Sequence, residues 1–254
     1  MKKTITEKTE APDVVVDIDS LTKGFGNEYI LKNLSLQLFR GENLVVLGKS
    51  GSGKSVLIKC IIRLLVPDSG SVKVLGEDVN QLDNKGLAIL REKIGFLFQS
   101  GALYDSMTIK QNLEFPLQRI KKDLSKSERD EKIAEVLENV GLPDTLHKMP
   151  SELSGGMRKR VSLARTIIVD PMIMLYDEPT TGLDPVTSDE ISELINQVQE
   201  KYKTSSMIIT HDIRCARATA DRVIMVQNGE VYSEGTIEEY NASEDGYIRS
   251  FFKQ

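Results

Sequence analysis

The sequence predicts an α/β fold in which a mostly parallel sheet is flanked by helices, an antiparallel β-subdomain sits at the N-terminus, and an α-helical subdomain is inserted. Three observations carry this prediction. Apolar strand-like runs at 44–47, 173–176, 207–210 and 223–226 alternate with helical patterns, which is the signature of a parallel sheet. The first of these runs ends in Gly48 and opens a glycine-rich turn that leads into a helix. Between about 100 and 169 the apolar period changes to that of helices.

In chain order, residues 1–13 are polar and charged and are expected to form a flexible tail. The runs at 14–18 and 34–38 read as strands of the β-subdomain, joined through a turn at Gly26-Asn27, and 71–75 returns to that layer before the turn at Gly76. Residues 44–47 read as a buried strand, followed by a helix over about 53–65. A further strand is expected at 94–98. In the inserted subdomain, Ser125 and Glu128 have capping-box spacing, Ile133, Val136, Leu137 and Val140 form one apolar face, and Gly141 and Pro143 stop the helix. A second helix starts near Ser154 and places Met157, Val161, Ala164 and Ile168 on one side. Its basic residues Arg158, Lys159, Arg160 and Arg165 are expected on a solvated face rather than on a lipid-headgroup or nucleic-acid patch. A helix over about 185–201 and a hairpin turn at 227–230 complete one domain, 14–240, and leave 241–254 as a C-terminal tail.

Composition narrows the partners. The chain has 254 residues, 40% of them hydrophobic, and a formal net charge of −5 with its Lys and Arg scattered, so no global charge argument favours nucleic acid. The most apolar helical run, 56–66, contains Lys59 and Arg63 and is shorter than the roughly 20 residues of a membrane span. Any membrane connection is therefore expected through a partner. Cys60 and Cys215 lack metal-ligand spacing and read as packed thiols.

Gly48, Lys49, Ser50, Gly51, Ser52, Gly53, Lys54 and Ser55 match G-x-x-x-x-G-K-[ST] in the strand–turn–helix setting that this phosphate-binding loop needs. Successive N–H groups of such a loop, with the helix N-terminus behind them, point at phosphate oxygens. Lys54 is expected to reach the β- and γ-phosphates of ATP, and Ser55 to ligate Mg²⁺. The strand at 173–176 ends in Asp177, which places a second Mg²⁺-binding group at the carboxyl edge of the sheet. Glu178 follows directly and is the expected general base for the attacking water. A P-loop NTPase core is the fold these motifs predict.

In this order, with Leu153-Ser154-Gly155-Gly156-Met157 between them, the motifs resemble the nucleotide-binding subunit of ATP-binding cassette (ABC) transporters over nearly the whole chain. The resemblance implies that Phe25 stacks on adenine, the alternative being a core phenylalanine. It implies that Gln99 touches Mg²⁺ or the water, that Asp184 belongs to the D-loop, and that His211 contacts the γ-phosphate, which makes Glu178, His211, Gln99 and Lys54 the catalytic set. His147 matches no motif and reads as a surface residue. Ser154, Gly155 and Gly156 would then serve a nucleotide held by a second copy of the chain, two chains packing head to tail. The stretch 98–108, the continuation 112–117, the signature ending in Met157 and the C-terminal 242–251 resemble the MlaF-like (Mla/Mkl-type) phospholipid transport ATPases more narrowly. That resemblance implies a membrane permease, an MCE lipid-binding protein and an auxiliary cytosolic subunit as partners. It places the chain on the cytoplasmic face of the inner membrane. The region 101–115 would receive a permease helix, unless it is a core-facing connector. An ABC transporter for another solute and a soluble non-transport ABC ATPase are the competing readings.

Overall fold

The computed structural model describes residues 13–252, so the expected N-terminal tail lies outside the described residues except for Asp13. The chain opens with two long strands, β1 (Val14–Phe25) and β2 (Glu28–Phe39), which pair antiparallel around the turn at Gly26-Asn27. After β3 (Asn43–Leu47) and helix α1 (Lys54–Ile61), β4 (Ser69–Val74) and β5 (Glu77–Asp78) return to the first layer, giving a four-stranded sheet in the order β2-β1-β4-β5. Then come α2 (Asn84–Glu92), β6 (Ile94–Leu97) and the inserted helices α3 (Ile109–Ile120), α4 (Lys126–Asn139) and α5 (Gly155–Ile167). The chain continues through β7 (Ile173–Asp177), α6 (Pro185–Tyr202), β8 (Ser205–Thr210), α7 (Ile213–Thr219) and the hairpin β9 (Arg222–Gln227) and β10 (Glu230–Gly235). It ends in α8 (Ile237–Ala242) and α9 (Gly246–Phe252).

The second sheet runs β10-β9-β3-β8-β7-β6, parallel throughout except for the β9–β10 hairpin. Every residue of β3, β7 and β8 is buried, as expected for parallel strands covered on both faces. Their side chains divide by the period of two. Leu44, Val46, Ile173, Leu175, Met207, Ile209, Ile224 and Val226 pack with α1 and the antiparallel layer. Val45, Leu47, Met174, Tyr176, Ile208, Val223 and Met225 face the core that continues into the inserted helices. The sheet therefore joins two cores, one under each subdomain.

Several elements differ from the sequence expectation. Helix α1 stops at Ile61, four residues early, because Arg63 takes a left-handed φ of 50° and donates from Nη1 to the Val79 carbonyl at 2.9 Å. Helix α2 was not expected, and α3 was concealed by Pro116, which sits inside it. Thr108 caps α3 with a full capping box to Gln111. The C-terminal stretch is no loose tail over its described part: α9 buries Ile248 and Phe252, and the Tyr247 hydroxyl donates to the Val226 carbonyl at 3.3 Å. Both thiols are buried as expected, and burial pushes each up to about 11.

Asn112 is fully buried on α3 and binds the 104–108 loop through both ends of its amide. Its Oδ1 accepts from the Tyr104 N–H at 2.8 Å, and Nδ2 lies 3.1 Å from the carbonyls of Tyr104, Met107 and Thr108. Asn112→Ala leaves these groups without their partner and is expected to lower unfolding stability by about 1–3 kcal/mol, read as a lower thermal midpoint. A midpoint equal to that of the unsubstituted chain would mean that water replaces the amide.

Candidate functional site

Strand register assembles the site. Leu47 lies opposite Thr210, Asp177 opposite Ile209, and Leu97 opposite Tyr176, so the carboxyl ends of β3, β8, β7 and β6 form one edge. The residues just past that edge are Gly48, His211, Glu178 and Gln99, which come from four distant parts of the sequence. Ligands of open α/β sheets bind at this edge. A cleft of about 580 Å³ lies here, lined by Phe25, Ile30, Ser50, Gly51, Gly53, Lys54, Ser55, Val56, Gln99, Glu178, Thr181 and His211.

Gly53 begins α1 at a φ of 98°, and a Cβ there would stand 2.8 Å from Leu31 Cδ2 and 3.0 Å from the Ile30 carbonyl. Only glycine lets the loop pass so close beneath β2. Lys54 is buried and donates to the carbonyls of Gly48 at 2.7 Å and Lys49 at 3.1 Å, with Glu178 Oε1 3.8 Å away. Burial lowers its pKa, and the nearby carboxylates of Glu178 and Asp177 oppose that shift. Ser55 Oγ donates to Asp177 Oδ1 at 2.9 Å. A hydroxyl and a carboxylate in contact, with the Gln99 amide on the same cleft, form the hard oxygen donor set that suits Mg²⁺ beside phosphates. Among the described residues no cluster of three His, Cys, Asp or Glu residues forms a separate metal cage.

Glu178 leaves the strand at a φ of 50°, a strained left-handed turn fixed by its own N–H donating to the Ile209 carbonyl at 2.8 Å. Its carboxylate is nearly buried. Oε2 accepts from Thr181 Oγ1 at 3.0 Å and lies 2.8 Å from His211 Nδ1 and 3.5 Å from Thr210 Oγ1. An ionised carboxylate only accepts, so Nδ1 carries the ring proton in that pair. Phe25 is 50% exposed and lines the cleft, so it is not a core residue. His147 is exposed in a turn, as expected.

Ser154, Gly155, Gly156 and Asp184 do not line this cleft. Ser154 caps α5, accepting from the Met157 N–H at 3.2 Å, and Asp184 caps α6, accepting from the N–H groups of Val186 and Thr187 at 3.1 Å. The hydrogen bonds from Thr187 hold the Asp184 carboxyl below its ordinary pKa. A Cβ on Gly156 would lie 2.4 Å from Thr187 Cγ2, so close packing of α5 on α6 within the chain already requires that glycine. Gly155 is exposed, and a Cβ there would come no nearer than 3.7 Å to Leu183.

The basic face of α5 is not uniformly solvated. Lys159 is 5% exposed and donates to the Gln99 carbonyl at 2.6 Å, and burial pulls its pKa down to about 8. Arg165 is half-buried, with its guanidinium 5.5 Å from the Tyr104 ring centre, while Arg160 pairs with Glu190 and Arg158 remains exposed. A charge run read along the sequence does not reveal which of its members a neighbouring loop will cover.

Residues 31–181 match the ABC transporter family. The chain belongs to that family. It is an ABC transporter ATPase cassette, with ATP and Mg²⁺ as its cofactors. It is 39% identical over 238 residues to a probable ribonucleotide transport ATP-binding protein, mkl, of Mycobacterium leprae, an alignment that covers 94% of this chain and 68% of the relative. It is 37% identical over 229 residues to the methionine import ATP-binding protein MetN of Brucella abortus, covering 90% of this chain and 61% of the relative. A solved dimeric ATP-binding cassette in a post-hydrolysis state, bound to ADP and Pi, superposes with a TM-score of 0.79 at 35% identity, over 87% of this chain and 98% of that one. The cassette cbiO1 of Clostridium perfringens, part of the cbiONQ transporter complex, superposes with a TM-score of 0.83 at 29% identity and covers 94% of each chain. No described helix of this cassette is long and apolar enough to cross a membrane.

Proposed function

We propose that this cassette hydrolyses ATP as one half of a head-to-tail homodimer and powers phospholipid transport between the inner and outer membranes. The observation that carries the dimer is the division of the site: Lys54, Ser55, Gln99, Glu178 and His211 line one cleft, while Ser154 and Gly155 lie away from it. The N-terminus of α5, with its partial positive charge and free N–H groups, then serves the γ-phosphate held by the other copy. In each cleft Phe25 stacks on adenine, Lys54 and the N–H groups of 48–53 bind the phosphates, and Ser55, Asp177 and Gln99 hold the metal. Bound Mg²⁺ offsets the charge on the β- and γ-phosphates. Glu178 takes a proton from the attacking water, held in place by Thr181 and His211, and His211 and Asp184 face the closed interface.

The lipid reading rests on the resemblance of residues 98–108 and 112–117, of the Met157 signature and of 242–251 to Mla/Mkl-type ATPases. The partners are a membrane permease seated on 101–115, an MCE lipid-binding protein and an auxiliary cytosolic subunit, with the cassette on the cytoplasmic face of the inner membrane. Purification of the tagged chain from its own membranes is expected to recover a multi-spanning permease, an MCE protein and bound phospholipid. The names of the similar proteins above, which concern ribonucleotide and methionine transport, favour a solute transporter as the second reading. Recovery of a solute-binding protein in place of the MCE protein would decide for it.

A further inference from the structure

Helix α5 presents three residues, Lys159, Ser162 and Arg165, at spacings of three along one side, and all three touch the segment that follows β6. Lys159 Nζ donates to the Gln99 carbonyl at 2.6 Å and reaches the Phe98 carbonyl at 3.4 Å. Ser162 stands so close to Gly101 that a Cβ there would lie 2.6 Å from Ser162 Oγ. The Arg165 guanidinium covers the Tyr104 ring. Gly101 in turn donates its N–H to the Phe98 carbonyl at 2.9 Å, so the turn is closed on itself and fastened to the helix.

Lys159 is the anomalous member of the three. Its side chain is almost wholly buried, yet among the described residues it forms no ion pair, and its hydrogen bonds go to two neutral backbone carbonyls. Burying an ammonium without a partnering carboxylate is unfavourable, and an apolar side chain of the same length would pack there at less expense. The carboxylates of Asp177 and Glu178 favour its charge without pairing with it, and its direct contacts are the two carbonyls that it holds. A charge-assisted hydrogen bond to the carbonyl of Gln99 fixes the backbone of a residue that lines the cleft.

We propose that Lys159 is a positioning residue for Gln99. Through it, the helix whose N-terminus serves the nucleotide of the partner chain also sets the glutamine that serves the chain's own nucleotide. The proposal rests on the reading of Gln99 as a contact to Mg²⁺ or the attacking water, and the test separates the two.

The full-length chain is compared as Gln99→Ala, Lys159→Met, the double variant, and Lys159→Gln, with kcat, KM for ATP and the thermal midpoint measured for each. Lys159→Met keeps the length and apolar stem but has no donor. It is expected to lower kcat roughly 10- to 100-fold, the range for one lost hydrogen bond to a charged group, with KM changed less than threefold. In the Gln99→Ala background it should add little, because Lys159 is proposed to act on turnover only through the Gln99 side chain, which that variant lacks. Lys159→Gln keeps an N–H₂ donor and should recover most of the lost turnover. Gln99→Ala with undiminished kcat would remove the reading of Gln99 and the proposal with it. If Gln99→Ala is impaired, the proposal alone falls when Lys159→Met is harmless or when the two losses multiply. A lowered midpoint in Lys159→Met with no rescue by glutamine would likewise make the lysine structural and reject its positioning role.

Discussion

Glu178→Gln is expected to bind ATP as the unsubstituted chain does but to lose roughly 10²- to 10⁴-fold in turnover, the contribution of a positioned general base. The substitution keeps the shape of the side chain and an oxygen to accept from Thr181 and His211, so the cleft should not rearrange. It removes a negative charge that lies 3.8 Å from Lys54, so ATP affinity should hold or rise. With binding intact and hydrolysis blocked, the variant should accumulate as an ATP-bound dimer in sizing experiments with Mg²⁺, whereas the unsubstituted chain returns to its resting state. Single-turnover hydrolysis at saturating ATP isolates the chemical step. Turnover within twofold of the unsubstituted chain would move the base away from Glu178 and leave the Thr181–His211 cluster around it without a catalytic reason.

The fold and the cleft were largely legible in the sequence because their determinants are local. A strand, a glycine turn and a helix make the phosphate loop wherever they occur together, and a fully apolar strand ending in a carboxylate leaves few other placements for Asp177. The parallel register then had to bring Gln99, Glu178 and His211 to one edge, and it does. What stayed hidden depends on partners distant in sequence. Lys159 sits in a run of three basic residues, and only the turn after β6, 60 residues earlier, determines that it is the buried one. Asn112 looks like any polar residue until the 104–108 loop closes over it, and Pro116 masks the helix that carries it. Gly156 reads from the sequence only as part of the signature, and the contact that a Cβ there would make with Thr187 of the same chain appears only once α5 packs on α6. The C-terminal helix is held by aromatic contacts to other elements, Tyr240 with Phe252 and Tyr232 with Tyr247, that seven residues of weak helical pattern do not announce.

The shared site predicts recovery of activity from two inactive variants. Lys54→Ala removes the phosphate-loop lysine, and Gly155→Asp places a carboxylate at the helix N-terminus that would face the partner's γ-phosphate. The second change is mild for folding: Gly155 is exposed with room for a Cβ, and an acidic residue in the first turn is favoured by the helix dipole. Each variant alone should be nearly inactive, since in either homodimer both sites carry the defect. In a mixed dimer the two defects fall on the same site, because the altered phosphate loop of one chain meets the altered helix of the other. The remaining site has an unaltered loop from one chain and an unaltered helix from its partner. Equal mixing, with subunits exchanging freely, makes half of the dimers mixed and is expected to restore about a quarter of the original turnover if the sites act independently. A mixture no more active than its components would reject two independently acting sites shared between chains. Were the site complete within one chain, Gly155→Asp alone should hydrolyse ATP normally, since Gly155 does not line the cleft that holds Lys54 and Glu178.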